Sequence, residues 1–347
     1  MAKPKLSSLI FGLFTALAML LAACQAAPAT PAQPAQPAQP TEAAKPAELV
    51  KVTLRLPWIT NTQFAGPYVA LDKGYFKDEG IDLEILPGGI DKNSITLVAA
   101  GENTFGLHDT GSLLLARAQD MPLVTVATFF QKHPGGVFAL KKSGINTLKD
   151  FEGKTIGFQE GGPWMLTKAM LKKNGVDMSK IKTQTIQYDV SPLLNGQIDL
   201  MTCYATNEPL AVKRQHGEDV VVFLPADNGI PTASEALFTT EKYLSEHPEV
   251  VQGMVNAFKK GWEYAMANKD EAVKIVMKYG TELDYDSEMD QLVAEEAHLM
   301  TPEAKEHGIG WMTAEKWDQM YQVLREEGAL ETDVDVSKAF TTQFLGK

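Results

Sequence analysis

The sequence predicts an α/β protein of two lobes joined by two crossovers, with a helical C-terminal tail. Three observations predict it. From Val50 the chain runs β-α-β-α-β, which implies a mostly parallel sheet covered by helices. A second succession of the same kind starts near Gly136, and from about Tyr243 the pattern is helical to the end. The length, 347 residues, suffices for two cores.

The elements follow in order. "VKVTLRLPW", from Val50, alternates and is rich in β-formers, so it reads as a strand. "GPYVALDKGYFKDEG" sets Tyr68, Val69, Leu71, Tyr75 and Phe76 near helical spacing and stops at Gly80. "IDLEILPG" is the next strand, and "NSITLVAAGE" a short helix ended by Gly101. "NTFGLHDTGSLLLARAQ" reads as a strand and then a helix starting between Asp109 and Ser112, and "PLVTVATFFQ" as another strand. In the second unit, "GVFALKK" is a strand, and "NTLKDFEGK" a short helix capped by Asn146 or Thr147. "TIGFQ" is a strand leading into the helix "GGPWMLTKAMLKKNG", which ends at Gly175. "IKTQTIQY", "SPLLNGQIDLMTCY", a helix from Glu208 to His216 and "DVVVFLPAD" complete the unit. The crossovers fall near His133–Val137 and Pro231–Ala236. Lobe 1 is therefore 49–135 plus 235–347, and lobe 2 is 136–234. The tail packs on lobe 1. Its Trp262, Tyr264, Trp311 and Trp317 read as packing residues and its many Glu and Lys as solvated faces.

The first 48 residues are of another kind. Residues 1–23 read as a signal peptide, with Lys3 and Lys5 before an apolar run too short to span a bilayer. "LAAC" then brings small residues up to Cys24, similar to a bacterial lipobox, which implies cleavage before Cys24 and its lipidation. Residues 24–48, with "PAQPAQPAQP", form an extended Pro/Ala/Gln linker that cannot bury a core. The expected location is the extracytoplasmic face of the cell membrane. The net charge of −12, with no basic run beyond the first five residues, argues against nucleic-acid binding. Cys203 is the one other cysteine, so no internal disulfide can form; it reads as a small buried hydrophobe.

Ligands of open α/β sheets sit beyond the carboxyl ends of the strands, and here that is the cleft between lobes. Trp58 and Asn61 follow the first strand. Trp58 either stacks on a flat ring or caps the core, and Asn61 offers a donor and an acceptor. Phe64 and Tyr68 follow, Tyr68 at a spacing that equally suits the core. His108 and Asp109 lead into a helix N-terminus, where they bond a ligand or Asp109 caps the helix. Gln131 and His133 stand at the first crossover. Trp164 follows the glycine-rich "QEGG" and makes a second stacking wall. Tyr204, Asn207 and Glu208 end a lobe-2 strand, where Glu208 accepts from a ligand N–H or hydroxyl or complements the helix dipole. Asp227 and Asn228 are weaker candidates. His108 has no second ligand at metal-binding spacing, so no metal is expected, and no cofactor is.

"W-x-x-N-T-x-x-x-G-x-Y-V-A-x-x-K-G-Y-F-x-x-E-G", from Trp58 to Gly80, resembles the solute-binding proteins of ABC importers. The nearer group is the thiamine-pyrimidine and sulfonate/nitrate-like family. "PGG", "AAGENTFGL", "LLLARAQDMPLVTVA", "DFEGKTIGF", "LLNGQIDLMTCYATNEP" and "DNGIP" fall in the order that the family has, over about residues 50–260. The resemblance implies a two-lobed periplasmic-binding-protein fold closing on a small solute, with an ABC permease and its ATPase as partners. The family's pyrimidine-synthesising enzymes carry a cysteine cluster and a histidine shortly after the Trp/Asn pair. Phe64 stands at that histidine position and no such cluster exists here, so an enzyme is not expected. "NTQFAGPYVA" is similar to riboflavin-binding lipoproteins. The implied ligand is a planar heteroaromatic vitamin, riboflavin ahead of a formylaminopyrimidine-like thiamine precursor. A sensor module reporting occupancy to another membrane protein is a third class.

Overall fold

A computed structural model describes residues 48–346. The signal segment, Cys24 and nearly all of the linker lie outside these residues. Ten strands form two five-stranded sheets. The first to fourth are β1 Val50–Arg55, β2 Ile81–Leu86, β3 Phe105–His108 and β4 Leu123–Phe130. The next five are β5 Gly135–Leu140, β6 Thr155–Phe158, β7 Lys182–Thr185, β8 Leu200–Tyr204 and β9 Val220–Phe223; β10 is Ser234–Thr240. The first sheet has the order β2-β1-β3-β10-β4 and the second β7-β6-β8-β5-β9. The chain passes from the first sheet to the second between Phe130 and Gly135, and returns between Phe223 and Ser234.

Each sheet is mostly parallel, as expected, with four of its five strands running one way and one reversed. β1 is parallel to β2 and β3, and β6 to β7 and β8, but β10 runs antiparallel to β3 and β4, and β5 to β8 and β9. The reason is the direction of arrival. A strand preceded by a helix on its own sheet enters from the far side and runs toward the cleft. β5 and β10 each arrive from the other lobe, so they enter at the cleft and run away from it. β10 is a strand that the sequence pattern does not announce: it overlaps the crossover expected near Pro231–Ala236 and runs up to the helical tail.

The helices are α1 Ala65–Asp72, α2 Tyr75–Asp78, α3 Ser94–Ala99, α4 Thr110–Arg117, α5 Gly162–Lys173, α6 Ser191–Leu194 and α7 Glu208–His216. The tail holds α8 Glu241–Glu246, α9 Pro248–Ala267, α10 Lys269–Val276, α11 Tyr285–Leu299, α12 Pro302–His307 and α13 Ala314–Glu326. The single helix expected over Gly66–Gly80 is two, because Gly74 adopts φ 79° and turns the chain between α1 and α2. The tail packs on the first sheet and its helices. α9 crosses α1 where Gly66 and Gly261 face one another: a Cβ on Gly261 would lie 2.1 Å from the Gly66 carbonyl oxygen, and one on Gly66 2.4 Å from the Trp262 ring. Trp262 is 1% exposed and its ring tilts against Phe130 of β4, so this contact ties the tail to the sheet. α11 lies behind the turn that precedes α1, and Gln131 N–H donates to the His298 carbonyl (3.0 Å).

Candidate functional site

The pairing registers bring the cleft residues together. Ala236 of β10 stands opposite His108 of β3, and Gly135 of β5 opposite Tyr204 of β8. The crossovers are bonded to each other, His133 N–H donating to Thr232 O (3.2 Å), and to both lobes, with Thr110 N–H on Ala233 O (3.3 Å) and Ala205 N–H on Pro134 O (2.8 Å). His108, Asp109, His133, Tyr204, Ser234 and Glu235 therefore converge where the lobes meet.

On lobe 1, β1 leads into Trp58 and then a tight turn, Thr62–Phe64, capped by Asn61, whose Oδ1 accepts from Gln63 N–H (3.0 Å). Two carboxyls hold the turn from behind. Glu288 of α11 accepts from Thr62 N–H (2.7 Å), and Glu235 Oε1 accepts from Gln63 Nε2 (2.8 Å). Glu235 is 2% exposed and has φ 50°, a left-handed conformation that costs a non-glycine residue on the order of 1 kcal/mol. Burial pushes its carboxyl up to about 8, against the Gln63 bond.

Asp109 caps α4, the structural one of its two expected roles, Oδ1 accepting from Ser112 N–H (2.7 Å), and its Oδ2 meets His108 Nδ1 (2.9 Å). Burial alone would raise its carboxyl, but the His108 bond and the Ser112 amide hold it below its ordinary range. His133 Nδ1 accepts from Gly135 N–H (2.7 Å), so in the neutral ring the proton is on Nε2. Burial lowers this imidazole to about 4, so it is neutral at physiological pH. On lobe 2, Glu208 at the start of α7 folds back to accept from Tyr204 N–H (2.8 Å), and burial raises its carboxyl. Burial, with Glu235, Asp109 and Glu208 nearby, pushes the Tyr204 phenol well up, so it stays a neutral donor.

The lobes touch across the cleft. Trp58 packs on Tyr188, which follows β7, with ring centroids 5.2 Å apart. A Cβ on Gly111 would lie 3.3 Å from Met165 Cε, and one on Gly162 3.6 Å from Asp109 Oδ2. Farther out, Arg214 of α7 pairs with Asp290 of α11, and Lys172 of α5 donates to Glu326 O (2.5 Å). The charges that bear most on the Tyr204 hydroxyl are carboxyls. Near it, the buried Ser234 Oγ, which bears on the hydroxyl, and Glu235 Oε2 make no hydrogen bond of good geometry.

The expected site residues divide into two sets. Trp58, Asn61, His108, Asp109, His133, Tyr204 and Glu208 stand at the facing ends of the two sheets. The others are elsewhere. Phe64 is fully buried in the core, and Tyr68 gives its hydroxyl to Thr60 (2.7 Å) and stacks on Tyr279. Trp164 stacks on Phe158 inside lobe 2 (4.5 Å) because α5 turns that face onto the sheet, so it walls no cleft here. Gln131 donates to Thr128 O and Trp311 O, binding β4 to the tail. Asn207 is exposed at the cap of α7, and Asp227 pairs with Lys132 between the crossovers (2.7 Å). Cys203 is buried, which raises its thiol well above the ordinary value. Among the described residues, no three His, Cys, Asp or Glu side chains are grouped to hold a metal. Tyr188, Gln63, Glu235 and Glu295 were not singled out by the sequence. Glu288 and Glu295 correct the reading of the tail's acids as solvated, since both are buried. A signal for them exists: Glu288, Gln291, Glu295 and His298 share the helical stripe of Leu292 and Leu299.

Two α/β lobes, two crossovers and a cleft at the strand ends define a periplasmic-binding-protein fold. The same fold is found in the periplasmic aliphatic sulphonate-binding protein SsuA of Escherichia coli, with TM-score 0.65 and 14% identity over 84% of this chain and 92% of that one. The chain belongs to the NMT1/THI5-like family, whose model matches residues 61–272. It is similar to the riboflavin-binding protein RibY of Chloroflexus aurantiacus, at 30% identity over 98% of both chains. It is also similar to the formylaminopyrimidine-binding protein of Halalkalibacterium halodurans, at 28% identity over 85% of this chain and 90% of that one.

Proposed function

We propose that this protein captures an uncharged, planar heteroaromatic vitamin, riboflavin, in the cleft and delivers it to the permease of an ABC importer. The observation that carries this reading is the pairing of an inter-lobe aromatic contact, Trp58 with Tyr188, with a polar set in which the charges are carboxyls. A flat ring inserted beside Trp58 gains apolar burial and stacking. Imide, amino or ribityl hydroxyl donors would find acceptors in Asn61, Asp109 and Glu208, and Ser234 Oγ and Glu235 Oε2 would gain hydrogen bonds of good geometry. Similarity to RibY along the whole chain supports the choice of riboflavin.

Asp109, whose carboxyl is held below its ordinary range, disfavours anions, because a sulfonate or phosphate would enter a buried site beside like charge. This separates the chain from a sulfonate binder of the same fold. The work is capture, not chemistry: Cys203 is a buried thiol and Phe64 a core residue. Lobe closure on ligand would shift the population that the permease receives. The lipobox-like "LAAC" supports anchorage through lipid on Cys24, with the Pro-rich linker as spacer. Similarity to the formylaminopyrimidine binder supports a second reading, a thiamine pyrimidine as ligand. A thermal-shift screen tests the class: riboflavin or a neutral aminopyrimidine raises the melting temperature, while riboflavin phosphate and alkanesulfonates leave it unchanged. A shift with the anions and none with the neutral compounds would overturn the reading.

A further inference from the structure

Three carboxyls gather behind the turn that carries Asn61, and they are unequal. Glu288 has a bonding role, accepting from Thr62 N–H, while its own backbone carbonyl accepts from Thr62 Oγ1 (3.0 Å). Glu235 uses one oxygen, on Gln63, and leaves the other buried without a partner. Glu295, one turn beyond Gln291 on α11, has no accessible surface; neither oxygen makes a hydrogen bond of good geometry, and the Gln291 side chain that bears on it does not offset its burial. A buried carboxylate without partners is strongly disfavoured, and three charges in one place are more so; the neutral acid removes both penalties.

We infer that Glu235 and Glu295 hold protons at neutral pH and that these protons are what keeps the Asn61–Phe64 turn in its binding geometry. Glu235 and Glu295 are therefore positioning residues for the proposed site. Burial raises the Glu288 carboxyl as well, but the Thr62 bond opposes this, so with the other two neutral Glu288 keeps its carboxylate for Thr62 and Glu235 keeps Gln63. Ionisation of either sets like charges against Glu288 from β10 or from its own helix, and both anchors of the turn loosen together. Among the described residues, none of the groups that bear on Glu235 or Glu295 is a cation. The groups bearing on Glu295 are Gln291 and Glu288 of α11 and Glu235 of β10; those on Glu235 are Gln63, Asp109, the Tyr204 phenol and Glu295 itself. The cations that α10 and α7 bring to α11 lie on its exposed flank, Lys269 on Glu296 and Arg214 on Asp290. His298, farther along, is occupied by Lys132 O (2.9 Å). Burial raises both carboxyls, Glu235 to about 8, which places the loss of the proton above neutral pH.

The inference rests on the proposed binding site only for its consequence, so its test begins without ligand. Hydrogen–deuterium exchange of the peptide spanning Thr60–Tyr68 is measured at pH 6 and pH 9, corrected for intrinsic rate, in the wild type, Glu235→Gln and Glu295→Gln. The wild type is expected to exchange about tenfold faster at pH 9, as a proton-linked opening requires. Each glutamine variant, which cannot ionise at that position, is expected to lose much of this difference, and either suffices should the other fail to fold. Equal wild-type exchange at the two pH values, or variants that open as the wild type does, would overturn the inference. Riboflavin titrated at both pH values reads the consequence, with weaker capture expected at pH 9 in the wild type alone. If riboflavin does not bind at pH 6, the ligand assignment fails and the exchange data still decide on the protons.

Discussion

Trp58→Ala is expected to weaken riboflavin capture by roughly 10- to 100-fold, that is by about 1.5–3 kcal/mol. Trp58 is half-buried at the carboxyl end of β1 and already meets an aromatic partner from the other lobe, Tyr188, which is itself 54% exposed. A ligand ring between or beside them would replace a tilted contact by a larger stacked one. Removing the indole takes away the lobe-1 half of that surface while leaving the hydrophobic core nearly untouched, so the melting temperature of the free protein should move little. Trp58→Phe should keep most of the affinity, because it keeps a ring face. Calorimetric titration checks both variants. Unchanged affinity in Trp58→Ala would remove this residue from the site.

Gly261→Ala is expected to destabilise the fold by about 3 kcal/mol or more, lowering the melting temperature by roughly 5 °C or more. The new methyl would lie 2.1 Å from the Gly66 carbonyl oxygen and 2.9 Å from Ala70 Cβ, and the first of these is backbone that no rotamer change can move. α1 would have to shift away from α9. Its N-terminus carries the Thr62–Phe64 turn, so the same shift displaces Asn61 and Gln63. The variant is therefore expected to lose affinity along with stability, although residue 261 is remote from the cleft residues in sequence. Thermal unfolding followed by titration checks both effects. A melting temperature equal to that of the wild type would show that the helix crossing is looser than this geometry states.

The fold was legible where local pattern and global topology agree. Alternation marked β1 and β2, and the glycines Gly101 and Gly175 marked the ends of α3 and α5. β10 escaped because it is a central strand, buried along nearly its whole length, in which Ser234, Glu235, Thr239 and Thr240 break any apolar run. A strand covered on both faces carries no period-two signal. Its antiparallel direction was also invisible, since it follows from the crossover and not from its own residues. The site was legible where a residue sits at a strand end, as with Trp58, Asp109 and Glu208. It was not where tertiary packing decides. Phe64 and Trp164 are aromatics next to the cleft in sequence, yet the helices that start there turn them into the core. Glu295 is an acid in a charged helix, and only the packing of α11 behind the Asn61 turn makes it a buried one.

Equilibrium titration of the purified protein with riboflavin, set beside riboflavin phosphate, tests the central claim most directly. The two ligands share the flat ring and differ in charge. Saturable one-to-one binding of riboflavin is expected, with at least tenfold weaker binding of the phosphate, as repulsion by the buried Asp109 carboxylate requires. Absence of riboflavin binding, or equal or tighter binding of the phosphate, would contradict it.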